Sequence, residues 1–593
     1  MSASEEYQRR LAARCARAER LARAQARIGT LRLALAAATL LLGWAALHRH
    51  ALSAWWLLVP IGSFVAAVLY HARLRERRSR AERGAAFYRR GLARIEDRWS
   101  GGGQQGARFN DPHHVYAADL DLFGAGGLFE LLCAARTRMG EETLARWLLA
   151  PATIAQIEGR HACIEDLRPR VDLRERIDAL GEESALAVHP EGLLEWVEAP
   201  HALARRGLLL IAILLPALML AGALLWAFAA VRTPFIAVLV IEFAALRVFA
   251  APVARVLDGT ERALADVRML AELIAQMEQE RFQAQPLREL AQRLATEGSG
   301  AARNLEKLAV IAELAGHREN LAVRWLLNVP FMYPLHVALA AEAWRAAHAG
   351  SVRGWVEAVG HFEALSSLAQ YRHEHPADVL PRLLEGEAQL HGVGLGHPFI
   401  PAASCVRNDV ELTGSTRVLL VSGSNMSGKS TLLRTVGINV VLAMAGAPVR
   451  AQHLALTRLQ LGASIRINDS LREGSSRFYA EITRLRQLHD LAALECPLLF
   501  LLDEVLQGTN SNDRRIGAQA LLAAFARRGA IGLATTHDLA LTEIRGLAPG
   551  SLKNMHFQDE VANGRMQFDF RLREGVVTKS NGLELMRSIG LEV

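Results

Sequence analysis

The stretch Val418–Thr431, VLLVSGSNMSGKST, decides how the rest of the chain is read. Val418 to Ser422 are apolar and β-prone, as a buried strand requires. Gly423 breaks that strand, and Gly423 through Ser430 fit G-x-x-x-x-G-K-[ST], the spacing of a phosphate-binding loop. Glycine at 423 and 428 lets the backbone curl until successive N–H groups face one point. A helix predicted to start near Lys429 turns its positive end to the same point. Lys429 is placed to reach β- and γ-phosphates, and the Ser430 hydroxyl to ligate Mg²⁺. Ser424, Asn425, Met426, Ser427 and Thr431 complete the candidate cradle, for which ATP and Mg²⁺ are the expected ligands. The apolar run from Leu432 to Ala443 supplies the helix the motif needs behind it.

Downstream, Leu498–Leu502 is a second apolar run and ends in Asp503-Glu504. A buried strand that delivers acids at its C-terminal edge is the arrangement of nucleotide-binding α/β sheets. Asp503 is expected in the Mg²⁺ shell, and Glu504 is expected to orient or deprotonate an attacking water. Ile531–Thr535 is a third such strand, ending at Thr536-His537-Asp538. Taken alone, a histidine at a strand end is an ordinary polar cap.

The 593 residues suggest ~3–4 folding units. With 51% hydrophobic but only 6% aromatic residues, the chain is rich in Ala and Leu and predicted to be mostly helical. A net charge of +7 invites a nucleic-acid reading, but the charge is local. Residues 1–32 hold eight Arg and three Glu, and residues 71–80 hold five Arg and one Glu. Those two flanks exceed the net charge of the whole chain, so the charge balance is poor evidence for a nucleic-acid surface. The five cysteines are scattered, fit no metal spacing, and read as thiols in a reducing compartment.

The first third carries membrane signals. Leu33–Leu47 is uncharged and reaches ~20 residues if Arg32 snorkels from its start. Ala51–Tyr70 is uncharged over twenty residues, with Trp55, Trp56 and Tyr70 near its ends. Both ends of this pair are rich in Arg, which puts both in the cytoplasm. A signal peptide is disfavoured by the long basic lead-in and the second span; two buried core helices are the other reading. A second apolar block covers 207–252. Gly207–Val231 has no charge, Arg232-Thr233-Pro234 reads as a turn, and Pro234–Pro252 includes Glu242 and Arg247. An acid at membrane depth is a functional candidate by default, but a partner for Arg247 or a helix end near the interface is the milder reading.

Family resemblance begins between these blocks. Leu128–Leu132, Thr137, Met139-Gly140, Leu144, Trp147-Leu148, Pro151, Ile157, Arg160 and Ile164 resemble the start of the helical core domain of MutS-type proteins. Phe129-Glu130 has the wrong spacing for that family's mismatch wedge. Asp258–Leu294 shows helical apolar spacing, and Leu326–Asn328, Trp344, Trp355 and Glu363–Leu365 resemble later core helices. Gly396-His397-Pro398, Asn408-Asp409, Asn425-Met426, Gly428–Thr431 and Arg434 resemble the MutS nucleotide domain, with Ser424 and Ser427 at positions where the family usually has Pro and Gly. Asp469–Leu471 and Gly474–Phe478 resemble its signature loop, which implies that Ser476 faces a partner's nucleotide; Arg477 replaces the usual Thr. Lys579–Leu583 resembles K-S-Y-G-L. The resemblance also implies that His537 senses the γ-phosphate, and that Lys429, Glu504 and His537 are the catalytic set.

The expectation is therefore an α/β P-loop (ABC-type) ATPase domain, 391–593, C-terminal to an all-α core and lever domain, 101–390, with transmembrane helical hairpins. One hairpin (about 31–47 and 51–70) lies in an Arg-rich segment 1–100, and the other (about 207–252) interrupts the helical domain. The resemblance implies a homodimer through the ATPase domain and DNA, as mismatched or distorted duplex, as cargo. It is strong over 393–593 and absent over 1–100; nothing resembles an N-terminal mismatch-recognition domain or a C-terminal dimerisation segment. Arg281, Arg288, Arg293, Arg303, Lys307, Arg318 and Arg324 are interleaved with acids and read as a solvated face rather than a DNA clamp. The alternative is an ATP-driven membrane or transporter-like ATPase acting on protein or lipid. Both readings place a multi-pass protein in the cytoplasmic membrane with its ATPase domain in the cytoplasm.

Overall fold

The computed structural model describes residues 2–47, 53–180, 190–203, 205–296, 299–320, 327–424, 427–466, 477–507, 509–537, 541, 544, 546–562 and 565–577. By its contacts the chain forms two units, a helical one (135–144 and 180–366) and a mixed one (1–134, 145–179 and 367–593).

The helical unit is built on the antiparallel pair Arg205–Ala229 and Thr233–Arg262. Both helices expose large apolar side chains, among them Leu210, Leu220, Phe228, Val240 and Val248. Pro216 lies inside the first helix and has no N–H to offer the carbonyl of Ala212. The ring Nε2 of His336 lies 2.9 Å from that oxygen and takes the vacant place. Glu242 is fully buried, and neither carboxylate oxygen has a hydrogen-bond partner. The pairing with Arg247 that the sequence suggests is therefore not made. Beyond the pair, Leu264–Gln279, Gln285–Leu294 and Ala301–Gly316 follow, with a short antiparallel ladder of β1 (Ala295–Thr296) and β2 (Ser299–Gly300) between the last two. Trp196, Trp344 and Trp355 form an aromatic core, the first two rings stacked at 6.3 Å. Glu363 is buried here and accepts from Arg136 N at 2.9 Å and from the Thr137 hydroxyl. Burial outweighs these bonds and pushes its carboxyl up to about 7.

In the mixed unit, Ala3–Leu47 and Leu58–Ile95 pair as a hairpin whose arms, at 45 and 38 residues, far exceed the ~20 needed to cross a bilayer. Counting the pair in the helical unit, four described helices are long and apolar enough to cross a membrane. The surplus length is a stalk. Its base buries Tyr7, Phe87, Tyr88 and Leu92 with Val171. Four arginines of the hairpin pair with acids of this unit: Arg94 makes a bidentate pair with buried Glu374 (2.6 and 2.7 Å), Arg14 pairs with Glu175, Arg10 with Asp172, and Arg90 with Asp178.

The rest of the mixed unit is two sheets. A four-stranded sheet has the order β3-β7-β4-β5, with β3 Arg382–Leu384, β4 Leu390–Leu395, β5 Asn408–Leu412 and β7 His453–Thr457. A six-stranded sheet has the order β12-β11-β6-β10-β9-β8. Here β6 is Val418–Ser422, β8 Gln460–Ser464, β9 Leu498–Leu502, β10 Ile531–Thr536, β11 Leu552–Ala562 and β12 Arg565–Glu574. Strands β11, β6, β10, β9 and β8 run parallel; β12 returns antiparallel. β6, β9 and β10 are buried along their whole length, as strands covered on both faces must be. The helix Lys429–Ala445 lies against this sheet almost entirely buried. Its C-terminus is capped by Gly446 in a left-handed turn (φ 76°) and by the Arg160 guanidinium on the Ala445 carbonyl at 2.8 Å. Residues 110–134 also sit in this unit: Ala463 N donates to Val115 O, and Asp119 accepts from Ile465 N and Arg466 N, both at 2.7 Å. Phe129 and Glu130 are buried, the acid accepting from Gly103 N and Gly126 N, so neither is presented to a duplex. Among the described residues all five cysteines are free.

Candidate nucleotide site

Because β6, β9 and β10 are parallel and in register, their C-terminal ends meet at one edge. The loop after β6, the acids after β9 and the histidine after β10 therefore converge. Gly423 (φ 154°) and Gly428 (φ 104°) have backbone angles that side chains resist, and a Cβ on Gly423 would come within 2.8 Å of the Ser427 hydroxyl oxygen. Lys429 is buried, and its Nζ donates to the carbonyls of Gly423 (2.7 Å) and Ser424 (3.0 Å). It also lies 3.6 Å from Glu504 Oε1. His537 is half exposed, with Nδ1 3.7 Å from the same oxygen. Ser430 and Thr431 follow Lys429 in the first turn of the helix. Asn425, Met426, Ser476 and Lys579–Leu583 lie outside the described residues.

The acids are held by a residue that sequence reasoning passed over. The Thr535 hydroxyl donates to Asp503 and accepts from the backbone N–H of Glu504 at 3.0 Å. Glu504 has φ 49° and Leu506 φ 58°, a left-handed backbone that costs non-glycine residues energy and recurs at functional sites. The Gln507 amide donates to Glu504 Oε2. Thr535 could have been flagged as the first hydroxyl of an otherwise apolar strand; Gln507 carries no such signal.

Beside the loop is a cavity of about 290 Å³ lined by Leu395, His397, Ile400, Thr431, Phe557 and Phe570, among others. Phe570 has φ 54° and its ring edge lies where a Cβ on Gly428 would meet it at 3.2 Å. Asn408 fixes it, donating to Phe570 O at 3.0 Å and accepting from Leu572 N at 2.7 Å. Burial, with Arg434 and Arg450 nearby, pushes the His397 imidazole down to about 4, so it is neutral near pH 7. The wall of this cavity is thus mixed, largely apolar and uncharged, beside a loop that gathers positive charge. Phe570 lies too far along the chain from the loop for any local pattern to have joined them.

The residues fit a nucleotide with Mg²⁺. Two glycines open a cradle that side chains would fill, a buried ammonium points into it, and a hydroxyl with a carboxylate supplies the hard oxygen ligands that Mg²⁺ selects. Among the described residues no cluster of His, Cys, Asp and Glu forms a separate metal site.

Residues 419–592 match the family described as MutS domain V. Over 203 residues the chain is 34% identical to Endonuclease MutS2 of Thermus thermophilus, a match covering 33% of this chain and 25% of that one. It is 31% identical over 258 residues to the DNA mismatch repair protein MutS of Granulibacter bethesdensis, covering 41% and 27%. It is 32% identical over 267 residues to the DNA mismatch repair protein MutS 2 of Halobacterium salinarum, covering 44% and 30%. The chain thus spans about a quarter of the length of the curated relatives it matches. Residues 419–592, a P-loop sheet matching MutS domain V, are thus what the chain shares with MutS-type ATPases.

Proposed function

We propose that the protein is a membrane-anchored MutS-type ATPase that couples ATP binding and hydrolysis to closure of a homodimer. The observation that carries this reading is the convergence of Lys429, Asp503, Glu504 and His537 on the mouth of one glycine-lined loop. The cavity walled by Phe570 and neutral His397 suits a nucleoside, and the loop suits its phosphates. Ser430 and Asp503 would hold Mg²⁺, which supplies neutralisation of charge on the β- and γ-phosphate oxygens. Lys429 adds a fixed positive charge on the same side. Glu504 takes the proton of the attacking water, and His537, beside it, is the polar group at the γ-phosphate end. Thr535 keeps the two acids apart in role: its hydroxyl takes the Asp503 side chain but only the backbone N–H of Glu504.

The four long apolar helices support a multi-pass anchor in the cytoplasmic membrane, because their exposed apolar faces are poorly matched to water. The relatives' names support DNA as cargo, in mismatched or distorted form. The exposed membrane-type faces equally favour a second reading, in which the motor acts on a protein or lipid partner. ATP turnover by the detergent-solubilised chain, with and without heteroduplex, homoduplex and branched DNA over a salt series, separates them. Stimulation by DNA that weakens steeply with salt supports DNA as cargo. Turnover indifferent to every DNA removes that cargo and leaves the membrane partner.

A further inference from the structure

The turn carrying Glu504 is a strained one, and the structure contains a device that holds it. Glu504 and Leu506 both adopt left-handed backbone angles without being glycine. Such a turn persists only where its surroundings over-determine it. Gln507 restrains the Glu504 side chain, and Thr535 restrains its N–H. The N–H of Leu506 donates to Glu481 Oε1 at 2.5 Å. Glu481 belongs to the helix Arg477–Leu491 and is buried. The same helix seats Leu485 and Leu488 in the core shared with Leu498, Phe500 and Leu502 of β9, so the carboxylate is presented from a fixed support. The Leu506 side chain packs on that core too, and its Cδ1 lies within 2.8 Å of where a Cβ on Gly517 would be. Leu506 is thereby pinned on both its backbone and its side chain.

We propose that Glu481 is a positioning residue for Glu504. Its carboxylate accepts the Leu506 N–H and fixes the left-handed turn that aims Glu504 at the loop. This rests on Glu504 being the group that activates water. The charge of Glu481 is not what matters; the acceptor oxygen is. A glutamine keeps that acceptor, and a methionine of similar length removes it.

The test is steady-state ATP turnover by the full chain in detergent for E481M, E481Q and E504Q, with KM for ATP measured alongside kcat. A positioned base contributes roughly 10²–10⁴-fold, so E481M is expected to lower kcat on the order of tenfold or more, a part of that factor. KM is expected to stay within about twofold, since the residues of the cradle itself are all kept. E481Q is expected to keep most of the wild-type kcat, and E481M is expected to add no further loss in the E504Q background. Wild-type kcat in E481M overturns the proposal, as does a fall in kcat and rise in KM together, or E481Q as impaired as E481M. E504Q at the wild-type rate would instead sink the assignment of Glu504 itself, a distinguishable failure. Should E481M not fold, E481A carries the same test with the same outcomes.

Discussion

At the scale of single residues, the site depends on groups that hold the reacting ones. Thr535 is the sharpest case, because one hydroxyl serves Asp503 and the Glu504 backbone together. Replacing it with isosteric valine removes both bonds without opening space. Loss of such an outer partner typically costs ~10–100-fold in metal affinity or activity. T535V is expected to raise the Mg²⁺ concentration for half-maximal turnover by about tenfold, read from an Mg²⁺ titration of ATPase rate. Glu363 gives a prediction in pH. Its carboxyl is raised to about 7 in the fold by burial, so it is neutral there and charged in the unfolded chain at neutral pH. The stability tied to that proton is full below its unfolded value of 4.5 and is lost as pH rises through about 7. E363Q, which is never charged, is expected to flatten the fall in melting temperature between those pH values; an unchanged slope would remove Glu363 as its source. The strand ends and the glycine loop were legible from local pattern alone, since apolar runs and glycine spacing are local signals. Thr535 and Phe570 were not, because their roles arise from contacts between segments distant in the chain, and Gln507 was not, because its role depends on the shape of the turn after β9.

At the scale of elements, the first hairpin shows how one pattern serves two purposes. Its Arg-rich flanks read in the sequence as a marker of the cytoplasmic side, and its apolar stretches as spans. The structure adds that Arg10, Arg14, Arg90 and Arg94 are paired with Asp172, Glu175, Asp178 and Glu374. Those partners lie far along the chain, and so no periodicity could announce them. Arg94 and Glu374 are both largely buried, and removing one partner of such a pair leaves an uncompensated charge. R94A is therefore expected to destabilise the mixed unit by ~3–5 kcal/mol in denaturant titration, whereas a surface pair such as Arg78–Glu82 is worth under ~1 kcal/mol. The two arms also approach closely at Gly91, where a Cβ would come within 2.4 Å of the Tyr7 ring. Tyr7 is fully buried and cannot swing aside, so G91A is expected to cost ~1–3 kcal/mol by overpacking. A G91A protein as stable as wild type would mean that the stalk is not packed this way.

At the scale of the molecule, the sequence announced a P-loop sheet, a helical region and four apolar helices, and each is present. What it could not announce is that segment 110–134 joins the nucleotide sheet through Val115 and Asp119. It also could not show that Glu242 sits in the second hairpin with no hydrogen-bond partner. Both depend on long-range packing. The proposed function is a MutS-like motor anchored in a bilayer, in which Glu504 drives hydrolysis at this loop. The most direct measurement is Mg²⁺-dependent ATP turnover and ATP binding by the full chain in lipid, for wild type and E504Q side by side. The account predicts turnover in the wild type, a loss on the order of 10²-fold or more in E504Q, and ATP binding retained in both. Equal turnover in the two, or no binding of ATP by either, would contradict it.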